Sequence, residues 1–370
     1  MTVRAPARSA LSELPALIDG SAAFLAAVYD PETALFPYST RFDGPAFVND
    51  FRHPATQRYT INTLLGLRTA AAAGRPLPEP IADVDACVER YVALHAGSLR
   101  NPADLGLLLV LLEGMDALAP ARASALERVA AALPGAGRLT AQDLAWMLWG
   151  AVAVARGGDA EAVALAHRLH ALMTGDFVDP RSLMPRHSLN PLRRHILSFG
   201  GLVYHLRALA EYADLTGDTR SEELFARGVA AALALQGEHG EWPWMIDTRS
   251  GAAFDLYPVF GVHQDAMALL FLLPALDRGL PGCAEAIESS LAWSLGDNQL
   301  GVRMYVDVPF FAYRSIHRRG RMLRARRFLR SLRPRPAAPV DAARVTLNDE
   351  CRSYHLGWLL YVWSGRAEAS

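Results

Sequence analysis

Apolar positions recur at three- and four-residue intervals through twelve stretches of this chain, and the stretches alternate in character. Six are amphipathic: roughly 13–29, 81–97, 121–133, 159–173, 220–236 and 283–296. The six that follow them are apolar almost all round: roughly 55–74, 102–116, 140–156, 193–215, 262–276 and 350–364. The pattern predicts an all-α chain of six helical hairpins, each with an outer and an inner helix. Connections from one hairpin to the next are short and turn-like, as at Gly157-Gly158-Asp159 and Thr216-Gly217-Asp218. Connections inside four hairpins are long, at 30–54, 174–192, 237–261 and 297–349. Consecutive antiparallel hairpins place all these inner connections on one face. Long loops in a compact domain are usually functional, so the pattern also locates the site.

Start signals support the inner helices. Asn101-Pro102-Ala103-Asp104 reads as an N-cap, a first-turn proline and an acid facing the positive end of the helix dipole. Thr140-Ala141-Gln142-Asp143 has capping-box spacing, with Asp in place of the usual Glu. Ile196, Gly200, Val203, Leu206, Ala210 and Ala213 form a buried stripe, and Leu105 to Leu112 holds no polar residue. Strand signals are confined to the long loops, where pieces such as Val302-Arg303-Met304-Tyr305-Val306 are expected to form hairpins.

Composition narrows the chemistry. With 51% hydrophobic and 20% charged residues in 370, the chain reads as one large-cored domain spanning 1–370, with a basic insertion at about 297–349. The net charge of −1 favours no class of partner. Lysine is absent and all 37 basic residues are arginine, which excludes Schiff-base and Walker-type lysine chemistry. Cys87, Cys283 and Cys351 are sparse and odd in number, so no disulfide framework is expected. Residues 1–20 lack the apolar core of a signal peptide, and the run Ala266 to Leu276 is too short to span a bilayer. These features read as a soluble, cytoplasmic protein that needs no cofactor.

The densest candidate chemistry lies between Gly240 and Asp265. That loop carries Trp242, Trp244, Asp247, Asp255 and Tyr257, then delivers His263, Gln264 and Asp265 to the start of an inner helix. Asp and His can serve as general acids and bases, and Trp and Tyr faces suit the apolar faces of sugar rings. Other inner-helix starts bring Arg52, His53 and Tyr59, then Arg194 and His195, then Glu350, Arg352 and Tyr354 to the same face. So many arginines and histidines exceed what helix capping needs, and they favour an anionic ligand. The expected proton-transfer groups are Asp247, Asp255, His263, Asp265 and Glu350. The expected binding groups are Trp242, Trp244, Tyr257, Gln264 and the residues at the other helix starts. Arg314 to Arg335 holds ten arginines. It reads as a solvated arm, or as a surface meeting anionic polymer or lipid headgroups. Nucleic-acid binding is not expected, because the rest of the chain supplies no basic surface.

Six hairpins of this kind resemble the (α/α)6 toroid shared by carbohydrate-active enzymes and terpenoid cyclases. The run Tyr212-Ala213-Asp214-Leu215-Thr216-Gly217-Asp218 is similar to a repeat junction of sugar-processing toroids. Gln236-Gly237-Glu238-His239-Gly240-Glu241-Trp242 resembles the short end of the cyclase Gln-Trp motif, a structural brace in that family. The cyclase Asp-x-Asp-Asp motif is missing, since Asp83-Val84-Asp85-Ala86 stops short. Asp349-Glu350-Cys351 resembles part of the prenyltransferase zinc set, but the later histidine of that family has no counterpart, and no metal site is expected. The resemblance implies a protein acting on or binding an acidic or phosphorylated saccharide, with an epimerase, lyase or hydrolase mechanism. An isoprenoid-handling toroid and a non-catalytic saccharide-binding or scaffold protein are the alternatives.

Overall fold

The computed structural model describes residues 9–44, 46–320, 337 and 341–366. The Arg-rich segment expected at 314–335 therefore lies outside the described residues from position 321 onward. The hairpins are α1 (Leu14–Val28) with α2 (Thr56–Ala72), α3 (Val84–His95) with α4 (Pro102–Leu111), and α5 (Ala119–Ala132) with α6 (Ala141–Ala155). They continue with α7 (Ala160–Thr174) and α8 (Phe199–Thr216), α9 (Thr219–Leu233) and α10 (Leu269–Asp277), and α11 (Cys283–Ser294) and α12 (Ser353–Trp363). Neighbouring even-numbered helices pack side by side from α2 to α10, and α12 packs on α2. A wide π turn, His263–Met267, precedes α10 and packs against α12, which closes the ring. The protein is an all-α (α/α)6 toroid.

Local chemistry explains the helix starts. The Asn101 side chain accepts a hydrogen bond from Ala103 N, and Thr140 and Asp143 satisfy each other's backbone in a complete capping box. The carboxyl ends point the other way and gather arginine. Arg68 donates to the carbonyls of Leu111 and Glu113, Arg122 to Leu112, and Arg278 to Pro274. Cations there satisfy the orphan carbonyls and complement the negative end of the helix dipole.

Two crossings in the inner ring are too close for side chains. A Cβ on Gly66 in α2 would lie 1.9 Å from the carbonyl oxygen of Gly357 in α12. One on Gly150 in α6 would lie 2.3 Å from the carbonyl oxygen of Gly106 in α4. Glycine at these positions lets adjacent backbones touch. Aromatic side chains fill the axis: Trp149 stacks on Trp358 at 6.0 Å, and Tyr361 meets both rings edge-on. Arg207 lies 5.1 Å over Trp149 and pairs with Glu211, which also binds Arg156.

The ten strands among the described residues occur in the long loops or at their ends, on the amino-terminal side of the inner helices. β1 (Ser39–Asp43) pairs with β2 (Ala46–Asp50), and β1 is tied to the start of α12 by the Thr40–Cys351 bridge. β3 (Ile196–Ser198), β4 (Met245–Asp247) and β5 (Ala252–Asp255) form one antiparallel sheet. β6 (Val259–Phe260) pairs with β9 (Ser315–Arg318), which pairs with β10 (Val345–Asn348). β7 (Tyr305–Asp307) and β8 (Phe310–Ala312) form a hairpin against α1. The fourth inner helix starts at Phe199 rather than 193, because Ile196 to Ser198 are drawn into β3.

Candidate active site

The first turns of α2, α4 and α6 build one wall of the ring's mouth. Arg58 places Nε 2.5 Å from Oδ1 of Asp104 and its guanidinium carbon 5.2 Å from the ring centre of Trp146. Among the described residues, no other group hydrogen-bonds the Asp104 carboxylate. The Asp104 side chain is 14% exposed. Burial raises its pKa, Arg58 opposes that, and the charge of Asp143 adds to it, so the net shift is upward. Asp143 uses Oδ2 to accept 2.8 Å bonds from the backbone and hydroxyl of Thr140. The 174–192 loop is tied to this corner by a 2.8 Å bond from Ala141 N to the carbonyl of His187. The His187 imidazole is held below its usual pKa by burial and by Arg193, with Asp143 pulling the other way.

An aromatic wall continues from there. Trp146 meets Tyr204 edge-on at 4.8 Å, and Tyr204 lies 6.0 Å from Trp358. Tyr59 and Tyr354, at the starts of α2 and α12, are 4.2 Å apart. Tyr38 stacks on Tyr59 at 4.9 Å and on His53 at 3.5 Å. The Arg352 guanidinium sits 3.8 Å from the Tyr38 ring centre. Buried polar atoms without a partner include Trp146 Nε1 beside Tyr204, and Trp244 Nε1 and His263 Nδ1 where those two rings stack. Such groups carry a desolvation cost that a hydroxyl-rich ligand or bound water would relieve.

Glu350 lies at the rim of the same wall and is gripped by three arginines. Its contacts are Arg41 at 2.6 Å, Arg314 at 3.0 Å and Arg352 at 2.7 Å. Burial alone would raise the Glu350 pKa, but the bond from Arg41 and the charges of Arg352 and Arg314 more than offset it and hold the carboxyl below its usual range. It is therefore an anion at neutral pH rather than a proton donor. Three guanidinium groups surround this one carboxylate, and the charge of Asp349 also acts on Arg41, so the cluster keeps a net positive charge.

The structure does not bring the proton-transfer candidates together. Asp265 is fully buried and faces the protein interior. Ser294, Tyr305 and His355 each donate to its carboxylate at 2.7 Å, and Trp363 Nε1 donates to its carbonyl. This is a latch joining the π turn to α11, β7 and α12, with both carboxylate oxygens engaged in a site closed to solvent. Asp247 turns back on its own loop, with Arg249 Nε at 3.0 Å. Asp255 lies 4.0 Å from Arg318, whose guanidinium covers the Tyr257 ring at 5.3 Å, so this pair belongs to the β5–β9 side. His263 is buried, stacks on Trp244, and is pushed down to a pKa of about 3 by desolvation. It is neutral, and too weakly basic to take a proton readily.

The binding candidates divide similarly. Trp242 is inaccessible, stacked on Phe199 and donating to Ser290. The Gln264 side chain joins the backbone of Trp242 to that of Phe260, and Gln236 reaches Gly240 and Ala286. The Gln-Trp motif is thus a brace between α9 and α11. Arg194 reaches back to the carbonyl of Leu189 in the 174–192 loop, and His195 bonds the Thr248 hydroxyl in the 237–261 loop. His53, Tyr59, Arg352 and Tyr354 do share the mouth wall, Arg52 is exposed beside them, and Trp244 packs on Phe260 under Arg314.

Sequence reading missed Asp104 and Asp143 as chemistry, because each also satisfies a helix start. It passed over Tyr38, Trp146 and Tyr204, which look like core aromatics in sequence. The available signal was that two consecutive inner helices each carry a carboxylate at the third position. The Cys351 thiol is buried and pushed up to about 12, and His355 is occupied by Asp265. Among the described residues, no group of three or more His, Cys, Asp or Glu side chains is placed to hold a metal ion.

Comparison with solved structures finds the same fold over nearly the whole chain. An inactive variant of an α-1,6-mannanase from Salegentibacter sp. HEL1_6, in complex with α-1,6-mannotriose, aligns at a TM-score of 0.63 and 11% identity, covering 98% of this chain and 100% of that one. A sugar epimerase from a ruminal bacterium aligns at 0.62 and 10% identity, covering 96% and 98%. An unsaturated glucuronyl hydrolase specific for heparin aligns at 0.58 and 13% identity, covering 97% of each chain. No family model and no curated protein matches the chain.

Proposed function

We propose that this protein is a carbohydrate-active enzyme whose reaction centre is the mouth wall formed by α2, α4 and α6, with Asp104 as the proton-transferring group. The observation that carries the reading is the state of Asp104. It is a largely buried carboxylate with a raised pKa, a single protein hydrogen bond, a second carboxylate (Asp143) nearby, and a Trp–Tyr face beside it. A raised pKa suits a carboxyl to general acid work near neutral pH, and paired carboxylates serve glycosidic chemistry. The saccharide class of the three structural neighbours agrees, although fold alone does not transfer activity.

The substrate is proposed to be an acidic saccharide. The net positive charge around Glu350 lies beside the Tyr38–Tyr59–Tyr354 wall, where it would meet a carboxylate or sulfate on a stacked sugar ring. An isoprenoid pocket would need an apolar lumen, whereas this axis carries the Arg58–Asp104 and Arg207–Glu211 pairs. The test is a panel of unsaturated uronyl disaccharides, α-1,6-mannotriose and reducing hexoses, with products resolved by chromatography. Turnover of a uronyl substrate that is lost in Asp104→Asn supports the reading. Turnover that survives in Asp104→Asn overturns it.

A further inference from the structure

Arg58 is a largely buried arginine at the start of an inner helix. It rises from α2, bonds the carboxylate of α4, and lies over the indole of α6, so one side chain joins three consecutive inner helices. Its contact with Asp104 is a single one through Nε rather than a two-oxygen fork. A fork would engage both carboxylate oxygens and leave neither free of the guanidinium. The end-on contact fixes Oδ1 and leaves Oδ2 without a hydrogen-bond partner among the described residues. The guanidinium plane is itself held in place by Trp146, and both side chains are mostly buried, at 26% and 14% exposure.

We infer that Arg58 is the positioning residue for Asp104: it fixes the carboxylate by one oxygen, aims the other into the mouth, and ties its orientation to the Trp146 face on which a sugar ring would rest. The inference rests on the reading of Asp104 as the proton-transferring group. Among the described residues, the charged and titratable groups facing Asp104 are Arg58 from α2, Tyr91 from α3 and Asp143 from α6. Of these, Arg58 is the one cation. It therefore sets how far burial and Asp143 can raise the carboxyl, as well as where the carboxyl points.

Arg58→Lys and Arg58→Gln separate the two effects. Lysine keeps a cation but has no planar group to lie on Trp146 while holding Oδ1. Glutamine removes the charge. Asp104 is titrated in each protein by carbon NMR of labelled aspartate carboxyls, with Asp104→Asn providing the assignment, so no substrate is needed. Turnover on a uronyl disaccharide that the wild type cleaves gives kcat and KM. In Arg58→Gln, Asp104 should titrate about one unit or more higher, and the alkaline limb of the rate profile should move with it. In Arg58→Lys, kcat should fall by about tenfold or more, with KM within about twofold, the pattern for loss of orientation rather than of binding. Equal melting temperatures establish that the variants fold.

An unmoved Asp104 titration in Arg58→Gln overturns the inference. So does a KM that rises while kcat holds, because Arg58 would then be a substrate contact. These outcomes are distinct from failure of the functional reading itself, which shows as full activity in Asp104→Asn whatever Arg58 does.

Discussion

Replacing Asp265 should damage the fold before it damages any chemistry. Its carboxylate is fully buried and accepts from Ser294 in α11, Tyr305 in β7 and His355 in α12. In Asp265→Ala all three donors lose their acceptor in a site closed to solvent. An unsatisfied buried donor costs about 1–3 kcal/mol, so three together cost on the order of 3–9 kcal/mol. Partial relaxation and entry of water would put the result toward the lower end. That is still a large share of the roughly 5–15 kcal/mol that holds a typical domain together. Asp265→Asn is milder: the amide oxygen still accepts from Ser294 and Tyr305, and the imidazole can move its proton to Nδ1 and accept from the amide nitrogen. Its cost should be about 1–3 kcal/mol, from the loss of charge-assisted bonds. Urea denaturation followed by tryptophan fluorescence measures both. The predicted order is wild type, then Asn, then Ala, with Asn retaining turnover per folded molecule. An Ala variant as stable as wild type, or an Asn variant that is fully folded and inactive, would refute the latch and return Asp265 to the chemistry.

Other consequences follow from burial and charge. His205 and His263 are held near a pKa of about 3 by desolvation, so the unfolded chain takes up protons from about pH 6.5 downward while the native sites stay neutral. Stability should therefore decline as pH falls from about 6.5 toward 3, and the His205→Asn, His263→Asn double variant should show a shallower decline; identical slopes would contradict the burial argument. Glu350 has the depressed carboxylate pattern, so its stabilising contribution is present above its unfolded pKa, about 4.3, and is lost as pH falls through its native value. The melting temperatures of wild type and Glu350→Gln should differ at pH 7 and converge only once the pH has fallen below the depressed native pKa of Glu350. Gly66→Ala should cost about 3 kcal/mol or more, because the added methyl meets the Gly357 backbone at 1.9 Å, whereas Gly135→Ala, with nothing within 4 Å, should be nearly neutral in the same thermal assay.

The toroid was legible in sequence because its signals are local. Capping at Asn101 and Thr140, apolar periodicity, and the contrast of short and long connections each act within a few residues or turns of helix. The site was less legible because its partners come from different hairpins. Asp265 reads as a loop-end acid until Tyr305 and His355, 40 and 90 residues away, are seen around it. Trp242 reads as a platform until its indole is found donating to Ser290 inside the core. Asp104 reads as a helix-start acid, and only Arg58, 46 residues earlier, shows that it is held from the side as well. An acid in the first turn of a helix already fits a local rule, so the local rule hides a second role. The arginines of the lower rim mislead in the opposite direction: Arg68, Arg122 and Arg278 bind helix carbonyls, so a high arginine count alone is weak evidence for an anionic ligand.

The central claim is that chemistry occurs at the α2–α4–α6 corner rather than in the 237–261 loop. Asp104→Asn and Asp265→Asn, measured side by side for turnover per folded molecule on the uronyl substrate, test it most directly. The prediction is a loss of about a hundredfold or more in Asp104→Asn with an unchanged melting temperature, and a lowered melting temperature with retained turnover in Asp265→Asn. The reverse pattern, activity kept without the Asp104 carboxylate and abolished without that of Asp265, would contradict the account.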